Sequence, residues 1–178
     1  MKILAFAASN SKQSINKQLV SYAASQIEAA DIDIIDINDF EMPIYSADRE
    51  EASGIPKEAQ RFYQKIGEAD ALLISFAEHN GSYTAAYKNL FDWTSRIDQK
   101  VFQSRPMVML ATSPGPGGAN NVLTAAKGSA PYFAGDVKAS FSLPSFYDNF
   151  DSENGTLRDE ALDAALKDAV SVLLPVSA

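Results

Sequence analysis

The hydrophobic positions along this chain follow two alternating periods. Lys2–Ala7 (KILAFA) is a short, almost continuous apolar run, the pattern of a strand buried on both faces. Isoleucines at 32, 34, 35 and 37 make a second run, and Asp70–Phe76 (DALLISF) and Met107–Thr112 (MVMLAT) repeat the buried pattern. Val137–Leu143 alternates apolar with polar residues, which suits an edge strand with one wetter face. Between these runs the period lengthens to steps of three and four. Ile15, Leu19, Tyr22/Ala23 and Ile27 share one helical stripe, Ala86, Leu90, Trp93 and Ile97 another, and Leu162, Leu166, Ala169/Val170 and Leu173 a third. Pro56 suits the first turn of a helix running to about Glu68. A further helix is predicted from near Ala119 to a stop before Pro131, and Leu174-Pro175 is expected to end the last one.

Strand and helix thus alternate five times. That order builds an α/β fold in which a parallel sheet, crossed over right-handedly, lies between two helical layers. Five strands favour a flavodoxin-like three-layer sandwich of strand order 2-1-3-4-5 over a six-stranded sheet. With 178 residues and no repeat or linker, residues 1–178 read as a single domain. Ligands in such sheets sit beyond the C-terminal strand ends, beside the switch point between strands 1 and 3. Chemistry is therefore expected in the loops after strands 1, 3 and 4.

Composition narrows the chemistry. The absence of Cys removes disulfides, thiol nucleophiles, iron–sulfur ligands and the usual structural zinc sites, and a single His, His79, leaves no His pair for a metal. The apolar run Ile3–Ala8 is too short for a signal or membrane span, so a cytoplasmic protein without a membrane partner is expected. The net charge of −8 is local. Nine acids lie between Glu28 and Glu51 against Arg49 alone, and the rest of the chain is balanced. No basic face for nucleic acid is indicated, and the acidic block reads as a solvated edge, with a docking patch as the alternative.

The first loop, Ala8-Ser9-Asn10-Ser11-Lys12-Gln13-Ser14-Ile15-Asn16-Lys17, has neither G-x-G-x-x-G nor a P-loop pattern. It offers hydroxyls, amides and two lysines, with no acid, at a predicted helix N-terminus. That is the make-up of a phosphate site, although Ser11 or Ser14 also suits a plain N-cap. After strand 3 comes Ala77-Glu78-His79-Asn80-Gly81-Ser82-Tyr83-Thr84, where Asn-Gly signals a tight turn. Glu78 beside His79 allows an acid–base pair, but a His simply lining a loop is the favoured account. A Ser-His-Asp hydrolase is disfavoured because no G-x-S-x-G occurs. After strand 4, Ser113-Pro114-Gly115-Pro116-Gly117-Gly118 makes a stiff turn of low bulk that would let a flat ligand lie against main-chain N–H groups. Asp148–Gly155 superficially suggests a calcium loop, but aligning Gly155 puts Phe150 where a carboxylate is needed, so a solvated linker is expected. Asp31, Asp33 and Asp36 are expected at the surface without a converging partner set.

Together these loops resemble the NADPH-dependent FMN reductases, a flavodoxin-like group that includes quinone, chromate and azo-dye reductases. Against the family's G-S-x-R-x-x-S-x-N, Ser9, Ser14 and Asn16 match. Against P-E-Y-N-G-S-x-x-x-x-L-K-N-x-x-D-W, Glu78, Asn80, Gly81, Ser82, Lys88, Asn89, Asp92 and Trp93 match with the same spacing, and Ser113–Gly118 corresponds to a Ser-Pro-Gly-Gly-type loop. The resemblance implies that Ser9, Ser14 and Asn16 hold the FMN phosphate, with Ser11, Lys12 and Ile15 beside them. It further implies that Glu78, His79, Asn80, Gly81 and Ser82 meet the isoalloxazine, and that Ser113, Pro114, Gly115, Gly117 and Gly118 close its other side. The implied cofactors are FMN and NADPH (or NADH), with hydride passing through the flavin to a small-molecule electron acceptor by a ping-pong route and no catalytic side chain. A homodimer or homotetramer is implied, with Tyr83–Arg96 facing a partner. The chain departs from the pattern at Ala8, Ser11, Ala77 and His79, where the family has Gly, Arg, Pro and Tyr; Ser11 removes a bidentate phosphate grip, leaving Lys12 as a point charge. Two other readings stand beside the reductase. A flavodoxin-type electron carrier suits the acidity but not the phosphate loop, and a flavin-less binding module suits the missing Arg.

Overall fold

In a computed structural model, which describes residues 1–28 and 30–174, the chain runs β1 (Lys2–Ala8), α1 (Ile15–Ser25), β2 (Asp31–Ile35), α2 (Ala47–Ser53), α3 (Lys57–Glu68) and β3 (Ala71–Phe76). It continues through the hairpin β4 (Glu78–His79)/β5 (Ser82–Tyr83), α4 (Ala85–Thr94), β6 (Pro106–Thr112), α5 (Asn120–Ser129) and β7 (Asp136–Leu143). A four-residue α6 (Phe146–Asn149), the hairpin β8 (Phe150–Asp151)/β9 (Thr156–Leu157) and α7 (Glu160–Ser171) complete it. The main sheet is wholly parallel, ordered β2-β1-β3-β6-β7, which is the expected 2-1-3-4-5 once the two hairpins are set aside.

Strand pleating divides the core into two layers. Ile3, Ala5, Leu73 and Leu110 face α1 and α7, meeting Leu19, Ala23, Leu166 and Val170. Leu4, Phe6, Leu72 and Ile74 face the other way, against Phe62 and Ile66 of α3, Leu90 of α4 and Val122 and Ala126 of α5. β1, β3 and β6 are buried on both faces because they lie inside the sheet; β7 alternates because it is an edge.

Several expectations shift. β2 ends at Ile35, because Asp36 caps a 3₁₀ turn over Ile37–Phe40. α2 was not foreseen: it buries no residue, so it has no apolar stripe to read. α4 stops at Thr94 rather than Ile97, and α7 stops at Ser171; Pro175 lies outside the described residues. The linker expected at Asp148–Gly155 is instead α6 and a hairpin. Phe150 is buried and stacks on Phe146 at 4.7 Å, and the Asp151 carboxylate receives the N–H groups of Glu153 and Asn154 that close the turn. The acids in and just after β2 do have partners: Lys65 reaches Asp33 at 2.9 Å and Lys17 reaches Asp36 at 2.6 Å.

Candidate active site

The loops after β1, β3 and β6 meet in one cleft of about 210 Å³ at the C-terminal edge of the sheet. From the first loop it takes Ser9, Ser11, Gln13, Ser14, Ile15 and Asn16; from the second, Ala77, Glu78 and His79; from the third, Thr112, Ser113 and Pro114, with Tyr147 of α6 completing the wall. Nine of the residues singled out in the sequence are thereby brought together.

The first loop is a cradle of N–H groups. Ser14 is the N-cap of α1, its Oγ accepting from Lys17 N at 3.2 Å, and Ser9 Oγ accepts from Ser11 N at 3.3 Å. Among the described residues, the amides of Asn10, Lys12, Gln13, Ser14, Ile15 and Asn16 have no main-chain acceptor. Free amides at a helix N-terminus, inside a cleft also lined by hydroxyls, offer the donors that a phosphate group needs. A flavin mononucleotide phosphate fits a donor set of main-chain N–H groups and the Ser9 and Ser11 hydroxyls. No lysine side chain lines the cleft. Lys12 is exposed and borders a separate groove beside Tyr22 and Phe150, while Lys17 is paired with Asp36. The Asp36 carboxyl is partly desolvated, which acts to raise its pKa, yet its bonds from Lys17 and Asn38 hold it below the usual value.

Asn16 lines the cleft, but its side chain turns inward. Nδ2 donates to Thr112 O at 3.1 Å, and Oδ1 accepts from Ser75 Oγ at 2.8 Å and Thr112 N at 3.1 Å, all buried. It is a strut joining α1 to β3 and β6, and what it presents to the cleft is its amide. Glu78 is likewise committed. Its Oε2 accepts from Val122 N at 2.9 Å and Oε1 from Asn121 Nδ2 at 3.3 Å, so it caps α5 from another loop, where Ala119 at the N-cap has no side chain to do so.

Asn80 and Gly81, both at positive φ (52° and 76°), form the two-residue turn between β4 and β5. With Ser82 they stand outside the cleft wall, which the hairpin reaches through Glu78 and His79 of β4. Gly115 and Gly117 also lie outside the wall. Gly118, at φ 56°, faces β7: a Cβ there would sit 2.3 Å from Ser142 Oγ and 3.1 Å from the Leu143 main chain.

The rest of the 78–93 motif holds the scaffold. Asn89 accepts from Tyr45 N at 2.8 Å and donates to Met42 O and Pro43 O, and Trp93 Nε1 donates to Pro43 O at 2.8 Å. Lys88 and Asp92 pair with each other. Thr84, unnoticed in the sequence, caps α4 and donates to Ala8 O at 3.0 Å, tying the end of β1 to the second loop. Thr112 and Tyr147 were also missed. Thr112 is the last residue of its strand, where the strand-end rule points; Tyr147 follows the fifth strand, beyond the loops that rule selected.

Such a parallel sheet, with an N–H cradle and a low-bulk turn at its switch point, defines a flavodoxin-like domain. The chain belongs to the NADPH-dependent FMN reductase family, whose model matches residues 1–148. It is similar to a 2-hydroxy-1,4-benzoquinone reductase of Burkholderia, 36% identical over 118 residues, 65% of this chain and 62% of the relative. The chain thus spans under two thirds of that protein's length. An NADPH:quinone oxidoreductase of Arabidopsis thaliana is 30% identical over 171 residues, covering 89% of this chain and 79% of the plant protein. The flavoenzyme NAD(P)H:(acceptor) oxidoreductase of Paracoccus denitrificans shares the fold at TM-score 0.76 and 23% identity, over 97% of this chain and 94% of that one. Among the described residues no helix is long and apolar enough to cross a membrane.

Proposed function

We propose that this chain is a single FMN-binding domain that oxidises NADPH or NADH and reduces quinone-like or similar small acceptors, both substrates using one site in turn. The observation that carries the reading is the amide cradle at the start of α1, opening into a cleft whose other two walls are the 77–79 and 112–114 loops. Family membership and the names of the quinone reductase relatives support it.

FMN, when bound, supplies two-electron exchange between nicotinamide and acceptor. The chain's part is to place it. The amides of Gln13–Asn16 and the hydroxyls of Ser9 and Ser11 take the phosphate, with the α1 dipole offsetting its charge in place of an arginine. Glu78, by capping α5, fixes the separation of the second and third loops. His79 and Tyr147 line the cleft, and no acid or base is required of them.

The test is anaerobic titration of the FMN-supplemented protein with NADPH and then NADH, following the flavin absorption band. Bleaching by either nucleotide, reversed by a quinone, is expected. Bound flavin that stays oxidised would make the protein an electron carrier, and no flavin binding would overturn the cradle.

A further inference from the structure

Along the flank of α1 runs a groove of about 420 Å³, larger than the cleft of about 210 Å³, and the two adjoin at Gln13 and Ser14, which line both. Ser21, Tyr22 and Ser25 of α1 continue the groove on one side, and Phe150, Ser152 and Gly155 of the β8/β9 hairpin on the other.

The charge of this groove is unlike that of the chain. Of 23 acids in the sequence none lines it, while Lys12 and Lys17 do. Lys17 is spent on Asp36, but among the described residues Lys12 makes no ion pair. The apolar part is two rings. Tyr22 and Phe150 stand edge to face at 6.0 Å, and the Tyr22 hydroxyl donates to Asp163. On the other side of the first loop, the hollow beside Asn10 carries Glu41 and no base. Added negative charge is therefore favoured on the α1 side.

A phosphate on the amides of Gln13 and Ser14 sits where cleft and groove meet, so a group esterified to its outer side enters the groove. Ser11, where the family pattern has Arg, leaves more room at this point than an arginine would. We propose that the groove takes the adenylate half of a flavin dinucleotide, FAD, with Lys12 on its second phosphate and the adenosine along Ser21 and Tyr22. The inference rests on the flavin reading above and extends it. FMN and FAD share the phosphate that the cradle grips, and only FAD carries a second one to meet Lys12.

FMN and FAD are titrated separately, by calorimetry, into the full chain freed of flavin. FAD is expected to bind more tightly. Lys12→Gln should weaken FAD by about fivefold, the upper worth of an exposed ion pair, and FMN by less. Ser21→Trp, which fills the groove, should remove the advantage of FAD and leave FMN binding in place. FAD no tighter than FMN, equal weakening of both by Lys12→Gln, or an advantage that survives Ser21→Trp overturns the proposal and leaves the FMN reading standing. Binding of neither flavin overturns both. Should Ser21→Trp fail to fold, the ratio of the two affinities in Lys12→Gln decides alone.

Discussion

Asn16 matches a family motif, yet its side chain spends its hydrogen bonds inside the sheet rather than in the cleft. The residue is 2% exposed, and its side-chain amide makes three bonds to Ser75 and Thr112, across the two strands that flank the cleft. Replacing it removes the bonds that the Ser75 hydroxyl and both main-chain groups of Thr112 make to it in a buried place. At about 1–3 kcal/mol for each unsatisfied group, partly relieved by relaxation, Asn16→Ala should cost about 3 kcal/mol of stability. Ser14→Ala, which removes an N-cap, should cost about 1 kcal/mol. Urea denaturation without added FMN separates the two roles. A variant at residue 16 that keeps wild-type stability but loses FMN affinity would show that the side chain is a ligand after all.

At the scale of elements, the strands were legible because buried parallel strands are continuous apolar runs, and α1, α4 and α7 because their stripes repeat at helical spacing. α2 was not, since a helix with no buried residue has nothing periodic to show. The three loops were legible as a group from the strand-end rule, but their internal roles were not. Glu78 reaches α5 across 44 residues and Asn89 reaches Met42 across 47, separations that no local pattern encodes. The glycines of the third loop make the same point. In sequence Gly117 and Gly118 are equivalent; in space only Gly118 has a positive φ and a main chain pressed against it. Gly118→Ala should therefore destabilise the protein by about 2–4 kcal/mol, because Leu143 is backbone and cannot swing aside. Gly117→Ala, with nothing within 4 Å, should stay within about 0.5 kcal/mol. Thermal melts of the two variants check this, and equal melting points would contradict it.

For the whole molecule, α1 is stitched to its surroundings by carboxylates: Lys17 to Asp36 at the end of β2, and Tyr22 to Asp163 on α7. Asp163 is partly desolvated, but its bonds from Lys167 and Tyr22 hold its pKa below the ordinary value, as at Asp36. Tyr22 is pushed the other way, from 10.0 to about 12, by burial and then by its bond to Asp163. The signs follow from proton linkage. The lowered carboxylates stabilise the fold above the unfolded carboxyl range, and that contribution is lost as pH falls below about 4. The raised phenol stabilises the fold below about pH 10, and that contribution is lost as pH climbs toward the folded value. Stability should thus be level through neutrality and fall at both ends. Solvent screening limits the Tyr22 share to about 1 kcal/mol at each end. One hydroxyl serves both limbs, so Tyr22→Phe should make the acid fall and the alkaline fall shallower together, with buried Tyr87 preserving part of the alkaline one. Urea midpoints measured from pH 3 to 11 on wild type and variant read this directly. A variant curve that parallels the wild type at both ends would mean that the Tyr22–Asp163 bond adds nothing to the join between α1 and α7.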